Sequence, residues 1–168
     1  LALEFGLEEK DIERAFEKFR GSKRRYEILY SGNGIKVIDD YAHHPTEIKA
    51  TLQGARSIEN SGITVIFQPH RYSRVKFLLD NFKNAFDLAD EVILLPIYSA
   101  GEKDNFGVTI EDLQSIIANP KVVIEKNPQN IDEMLMNFEG NRVFMFMGAG
   151  DISKIAHRAA EKLEGKYR

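Results

Sequence analysis

From residue 47 to the C-terminus the chain alternates between two hydrophobic periods. Short unbroken apolar runs, "ITVIF" (63–67), "EVILLPI" (91–97), "KVVIE" (121–125) and "RVFMFM" (142–147), have the length of strands buried on both faces. Between them apolar residues recur at helical spacing: Ile48, Leu52, Ala55 and Ile58, then Val75, Leu78, Leu79, Phe82, Ala85 and Phe86. The second set predicts one helix over residues 74–89, and "TIEDLQSIIA" and "PQNIDEMLMNF" predict two more. Ile152, Ile155, Ala156, Ala159 and Leu163 mark the inward face of a final helix. Upstream, Leu7, Ile12, Ala15, Phe16 and Phe19 before Gly21 predict an amphipathic helix over residues 8–20. Two β-rich runs around "SGNG" predict a hairpin. Strands alternating with helices require right-handed crossovers, so the expected fold is α/β. It is a Rossmann-like open, mainly parallel sheet with helices on both faces and an N-terminal β-hairpin.

Composition narrows the class of function. With 168 residues, 43% of them hydrophobic, the chain can build one real core. There is no cysteine, which removes disulfides, zinc ribbons and thiol nucleophiles and fits a reducing cytoplasm. The 23 basic and 26 acidic residues are interspersed, with no basic stripe to track a phosphate backbone, so nucleic acid is not an expected partner. No apolar run approaches the roughly 20 residues of a membrane span, so no membrane partner is expected either. The charged N-terminus does not read as a signal peptide, and a first residue other than methionine suggests a piece of a longer protein.

In an open doubly wound sheet, ligands sit beyond the carboxyl ends of the strands, so the segments after each strand carry the candidate chemistry. "DDYAHHPTE" (39–47) crowds Asp39, Asp40, Tyr41, His43 and His44 before Pro45, a residue suited to the first helical turn. A metal site is disfavoured, because adjacent residues of an extended segment point to opposite faces. One reading has His44 capping the helix and His43 packing locally. The other has a ligand-facing cluster, with Asp40 accepting from a ribose hydroxyl and Tyr41 stacking on a base. Alternation turns Asp39 away from Asp40. "QPHRYSR" (68–74) sets Arg71 and Arg74 three apart beside His70, two forks able to grip a carboxylate or phosphate. "MGAGDIS" half resembles a dinucleotide fingerprint, but Ser153 stands where the third glycine belongs, and close packing in a tight turn is the better account of Gly148 and Gly150. "YSAGEKDNFG" is a polar loop at the same edge, and His157 reads as a surface residue.

Taken in order and spacing, "FRGSKRRYE", "DDYAHHPTEIKATLQGAR", "FQPHRYSR", "YSAGE" and "MGAGDI" resemble the C-terminal third of the Mur ligases. The likeness is strongest to the branch that joins L-alanine to UDP-N-acetylmuramate, with the murein tripeptide ligases next. The resemblance implies an ATP-dependent, magnesium-requiring amide ligase of peptidoglycan synthesis in the cytoplasm, working through an acyl phosphate. The family's phosphate loop, G-x-x-x-x-G-K-[ST], is absent here. Residues 1–20 are therefore expected to be the last helix and hinge of a central ATPase domain, and residues 21–168 a C-terminal domain inactive by itself. Its partners would be the central and N-terminal domains of the same chain. Carried over by position, the resemblance implies that Arg25, Asp40 and Tyr41 contact ATP. It implies that His43, Arg71 and Arg74 face the amino acid and muramyl substrates, with His70 behind them, and that the magnesium ligands lie in the central domain. Two further readings stay open, a non-catalytic nucleotide-binding module and a nicotinamide enzyme built on "GAGDIS".

Overall fold

The computed structural model describes residues 6, 8–10, 22–118 and 121–168, so most of the helix predicted over residues 8–20 lies outside the described residues. β1 (Glu27–Gly32) and β2 (Ile35–Asp40) form the expected antiparallel hairpin. Its two-residue turn places Asn33 and Gly34 at φ 49° and 77°, the left-handed pair that such a turn demands. After α1 (Pro45–Ile58) come β3 (Gly62–Phe67), α2 (Tyr72–Leu78) and β4 (Glu91–Leu94). Then follow α3 (Ile110–Ile116), β5 (Lys121–Ile124), α4 (Asn130–Met136), β6 (Arg142–Met147) and α5 (Ile152–Lys166). The six strands lie in the order β1-β2-β6-β3-β4-β5, and every pair except β1 with β2 is parallel.

Strand period explains the two-sided core. In β6, Val143, Met145 and Met147 face α1, α3 and the segment after α2, while Phe144 and Phe146 face α4 and α5. All five are at most 2% exposed, as an unbroken apolar run implies. The inward face of α5 is the one expected from spacing, with Ile152, Ile155, Ala156, Ala159 and Leu163 all buried.

Two expectations need correction. The single helix over residues 74–89 is instead α2 followed by a 3₁₀ turn at Leu79–Asn84. Asp80, Asn81 and Asn84 compete for backbone hydrogen bonds and weaken a regular helix there. The aromatic cluster then decides the path, since Phe82 and Phe86 close on Phe67 with ring centroids 5.8 and 5.3 Å away. Ile58, expected on the inward face of α1, is 64% exposed, because it is the last helical residue and the chain turns away at Glu59.

Candidate functional site

The carboxyl ends of β2, β3, β4 and β6 share one edge, and the segments that leave them build two adjoining features. The first begins at Asp40. β alternation puts Asp39 and Asp40 on opposite faces of the sheet, as the sequence implied. Asp40 Oδ2 accepts from the Tyr26 backbone N–H at 2.8 Å, and Oδ1 accepts from the Ala42 N–H at 2.8 Å and from the Thr51 hydroxyl at 3.4 Å. The remaining lone pairs border a cavity of about 520 Å³. Arg25, Tyr41, Glu47 and Gly54 also line it, with Ile58 at its rim. Gly54 has open space where a side chain would stand, which widens the cavity along α1. Arg25, Asp40 and Tyr41, the three expected nucleotide contacts, thus meet at one cavity of a size that suits a small ligand.

Asp39 takes a different role. It is wholly buried, accepts from the Ser153 hydroxyl at 2.5 Å and lies 3.4 Å from Arg24 Nε. Burial pushes its pKa up, partly offset by Ser153 and Arg24. Arg24 was not singled out in the sequence. Its guanidinium lies 4.8 Å from the centre of the Tyr41 ring. A doublet of adjacent arginines offers no sequence signal of which one turns inward.

Helix α1 starts where Pro45 predicts, and His44 is its cap, its Nδ1 accepting from the Thr46 N–H at 3.3 Å. Glu47 reaches back to accept from the His43 and His44 backbone N–H groups, both at 3.1 Å. Burial pushes Glu47 up, but these bonds outweigh it and its pKa lies below the ordinary value. With its backbone held, His43 turns Nδ1 to the Tyr41 carbonyl oxygen at 3.0 Å.

The second feature surrounds His43. A row of four rings crosses the strand ends: Tyr41 to His43 at 5.3 Å, His43 to His70 at 6.0 Å and His70 to Tyr98 at 5.5 Å, the last pair stacked. His70 and Tyr98 are joined by a parallel bridge, and Tyr98 O accepts from the Arg71 N–H at 2.8 Å. Arg74 donates to His70 Nδ1 at 3.1 Å. An arginine can only donate, so His70 is neutral and carries its proton on Nε2. Burial, then Arg74, His43 and Arg71, lower its pKa. Arg71 caps α2 at φ 72°, ψ 132°, a conformation that costs about 1 to 3 kcal/mol outside glycine. Its side chain is half exposed and 3.9 Å from Glu102. Glu102 in turn accepts from the Ser73 N–H at 3.1 Å and hydroxyl at 2.6 Å, which holds the start of α2 and lowers the Glu102 pKa. The loop after β4 is thus a strut for the arginine pair, a role its polar sequence did not disclose.

His43, His70, Arg71 and Arg74 therefore gather at the strand end next to the cavity. Two guanidinium groups at one edge, with two imidazoles beside them, suit a small carboxylate. Among the described residues no three His, Asp or Glu side chains converge as a metal site.

The glycine turn after β6 serves packing. A Cβ on Gly148 would stand 2.7 Å from Gln68 O, and one on Gly150 2.6 Å from Gln68 Oε1 and 2.8 Å from Tyr98 Cγ. Gln68 Oε1 accepts from the Ile152 N–H at 3.1 Å, and Gln68 Nε2 donates to Asp151 at 2.8 Å. This occupies a donor that a dinucleotide pyrophosphate would need. The nicotinamide reading loses its binding loop.

A family model described as Mur ligase, glutamate ligase domain, matches residues 24–150. Over 98% of its length the chain is 49% identical to a UDP-N-acetylmuramate–L-alanine ligase of Fusobacterium nucleatum, covering 37% of that protein. The solved UDP-N-acetylmuramate-alanine ligase of Thermotoga maritima superposes with a TM-score of 0.76 at 33% identity, over 98% of this chain and 35% of that one. A murein peptide ligase of Psychrobacter arcticus shares the fold, with a TM-score of 0.63 at 24% identity over 89% of this chain and 32% of that one. The chain spans about a third of the length of these relatives.

Proposed function

The chain belongs to the Mur ligase family, and from that premise we propose that residues 21–168 are the C-terminal domain of an ATP-dependent ligase that joins L-alanine to UDP-N-acetylmuramate. The observation that carries this reading is the row of rings linking the Asp40 cavity to the Arg71 and Arg74 pair. It sets a nucleoside-sized space beside a carboxylate clamp. In this reading Asp40 accepts from the ribose hydroxyls, Tyr41 stacks on the adenine, and Arg25 reaches the phosphates. Arg71 and Arg74 grip the α-carboxylate of L-alanine and orient its nitrogen toward the activated muramyl carboxyl. His43 donates through Nδ1 to Tyr41 O, so a neutral ring keeps Nε2 free to accept a proton from the attacking amine. His70 buttresses Arg74.

ATP activates the carboxylate as an acyl phosphate, and that chemistry belongs to a central domain of the full-length protein, to which residues 1–20 are assigned. Magnesium would bind there also, since the described residues here do not fit it. This domain works in the cytoplasm, closes on its neighbour, and is inactive alone.

In the full-length protein, Arg71→Ala should raise the KM for L-alanine. A lost charged hydrogen bond costs about 1.5 to 3 kcal/mol, or about 10- to 150-fold. An unchanged KM and kcat/KM for L-alanine would remove Arg71 from the clamp. Offering L-alanine and the tripeptide in parallel separates the two branches of the family.

A further inference from the structure

We propose that Arg24 is a positioning residue for nucleotide binding, acting through Tyr41; this rests on the nucleoside-facing reading of Tyr41 above. Tyr41 is 44% exposed at the mouth of the cavity, and an exposed ring on its own samples several rotamers. Arg24 restrains it from two directions. Its carbonyl oxygen accepts from the Tyr41 backbone N–H at 2.7 Å, and its guanidinium lies 4.8 Å from the ring centre. The Tyr41 and His43 rings meet edge to face at 83°. Backbone and one face are therefore held, and the proposal assigns the other face to a flat base, with a cation behind it to strengthen stacking.

Arg24 is itself pinned more firmly than a surface arginine. Its N–H donates to Glu27 at 2.7 Å, and its Nη2 donates to Gly148 O at 2.5 Å. It and Tyr26 both adopt left-handed backbone, φ 57° and 50°, a cost that persists only where surrounding contacts enforce it. Its Nε and Asp39 Oδ1 are both buried without a hydrogen-bond partner among the described residues. Asp39 Oδ2 sits 3.4 Å from Arg24 Nε and also accepts from the Ser153 hydroxyl, so the pair is a desolvated charge contact in place of a solvated surface bridge. The residue thus ties the chain entering the domain to the ends of β2 and β6, at the point where the ring of Tyr41 is aimed.

The test uses the full-length protein with ATP and L-alanine titrated separately. Arg24→Met should raise the KM for ATP about tenfold while the KM for L-alanine moves less than about twofold. Arg24→Lys, which keeps the charge but not the flat group over the ring, should fall between. In a Tyr41→Ala background, Arg24→Met should add less than about twofold to the ATP KM, because the two act as a unit. Equal rises in both KM values, or full additivity with Tyr41→Ala, would overturn the inference in favour of a merely structural pin. If Arg24→Met fails to fold, Arg24→Lys and Arg24→Gln carry the same comparison. If the wild-type protein shows no L-alanine-dependent ATP turnover, the proposed function fails. ATP binding by equilibrium dialysis then decides Arg24 separately: the same pattern in Kd supports it, and a wild-type protein that does not bind ATP refutes it.

Discussion

Replacing Asp40 by asparagine tests whether its carboxylate is first a structural acceptor that a ligand then shares. The side chain is 7% exposed, and both oxygens accept from backbone N–H groups at 2.8 Å. Asparagine has one acceptor oxygen, so one of Tyr26 and Ala42 must lose its partner. The Thr51 hydroxyl decides which: it can accept from the new amide NH₂ group only if that group replaces Oδ1, which keeps the Tyr26 bond and abandons Ala42. Ala42 is 5% exposed, and water does not readily replace the lost acceptor. Leaving a buried donor unpaired costs about 1 to 3 kcal/mol, and the retained bond loses its charge assistance, so the expected loss is about 2 kcal/mol. For a chain of this size that lowers Tm by roughly 4 to 8 °C. Urea unfolding followed by circular dichroism measures it, and Asp40→Ala, which orphans both donors, should cost about twice as much. A loss below about 0.5 kcal/mol for Asp40→Asn, the range of inert surface changes, would refute the acceptor argument.

Gly148→Ala should lose about 2 to 5 kcal/mol in the same unfolding assay, because a Cβ there meets Gln68 O at 2.7 Å with φ at 152°. A neutral result would mean that the turn after β6 can shift. Gly54→Ala has the opposite sign: open space in mid-helix should make it about 0.5 to 1 kcal/mol more stable. Because the new methyl group enters the Asp40 cavity, ATP binding should weaken as stability rises, and a gain in both would place the nucleoside elsewhere. His70 has a folded pKa below its ordinary 6.5, so as pH falls through that value the unfolded chain takes up a proton that the folded chain refuses, and stability drops. His70→Asn should therefore lose less stability than wild type between pH 7.5 and 5.5, and parallel urea midpoints for the two proteins would contradict a neutral His70.

Much of the site was legible in the sequence because its local chemistry is short-range. Pro45 and His44 announce the start of α1, the alternation of β2 separates Asp39 from Asp40, and Arg71 with Arg74 can be read from one helical turn. Arg24, Glu102, Tyr98 and Gln68 were not legible. Each acts on a residue far along the chain, for example Glu102 on Ser73, 29 positions away, and Arg24 on Gly148, 124 positions away. Such partners leave no trace in local spacing.

From residue 27 on, and apart from the break after Leu78 and the exposed Ile58, the sequence alone determined which segments are strands and helices, which of their faces turn inward, and which chemically capable residues leave the strand ends. Period, turn residues and caps are properties of a few neighbouring positions, and they suffice for that. Tertiary structure decided strand order, the break after Leu78 that the packing of Phe67, Phe82 and Phe86 imposes, and the meeting of Tyr41, His43, His70 and Tyr98 in one row. Those depend on which strand ends lie side by side, and long-range packing of the whole sheet selects that arrangement.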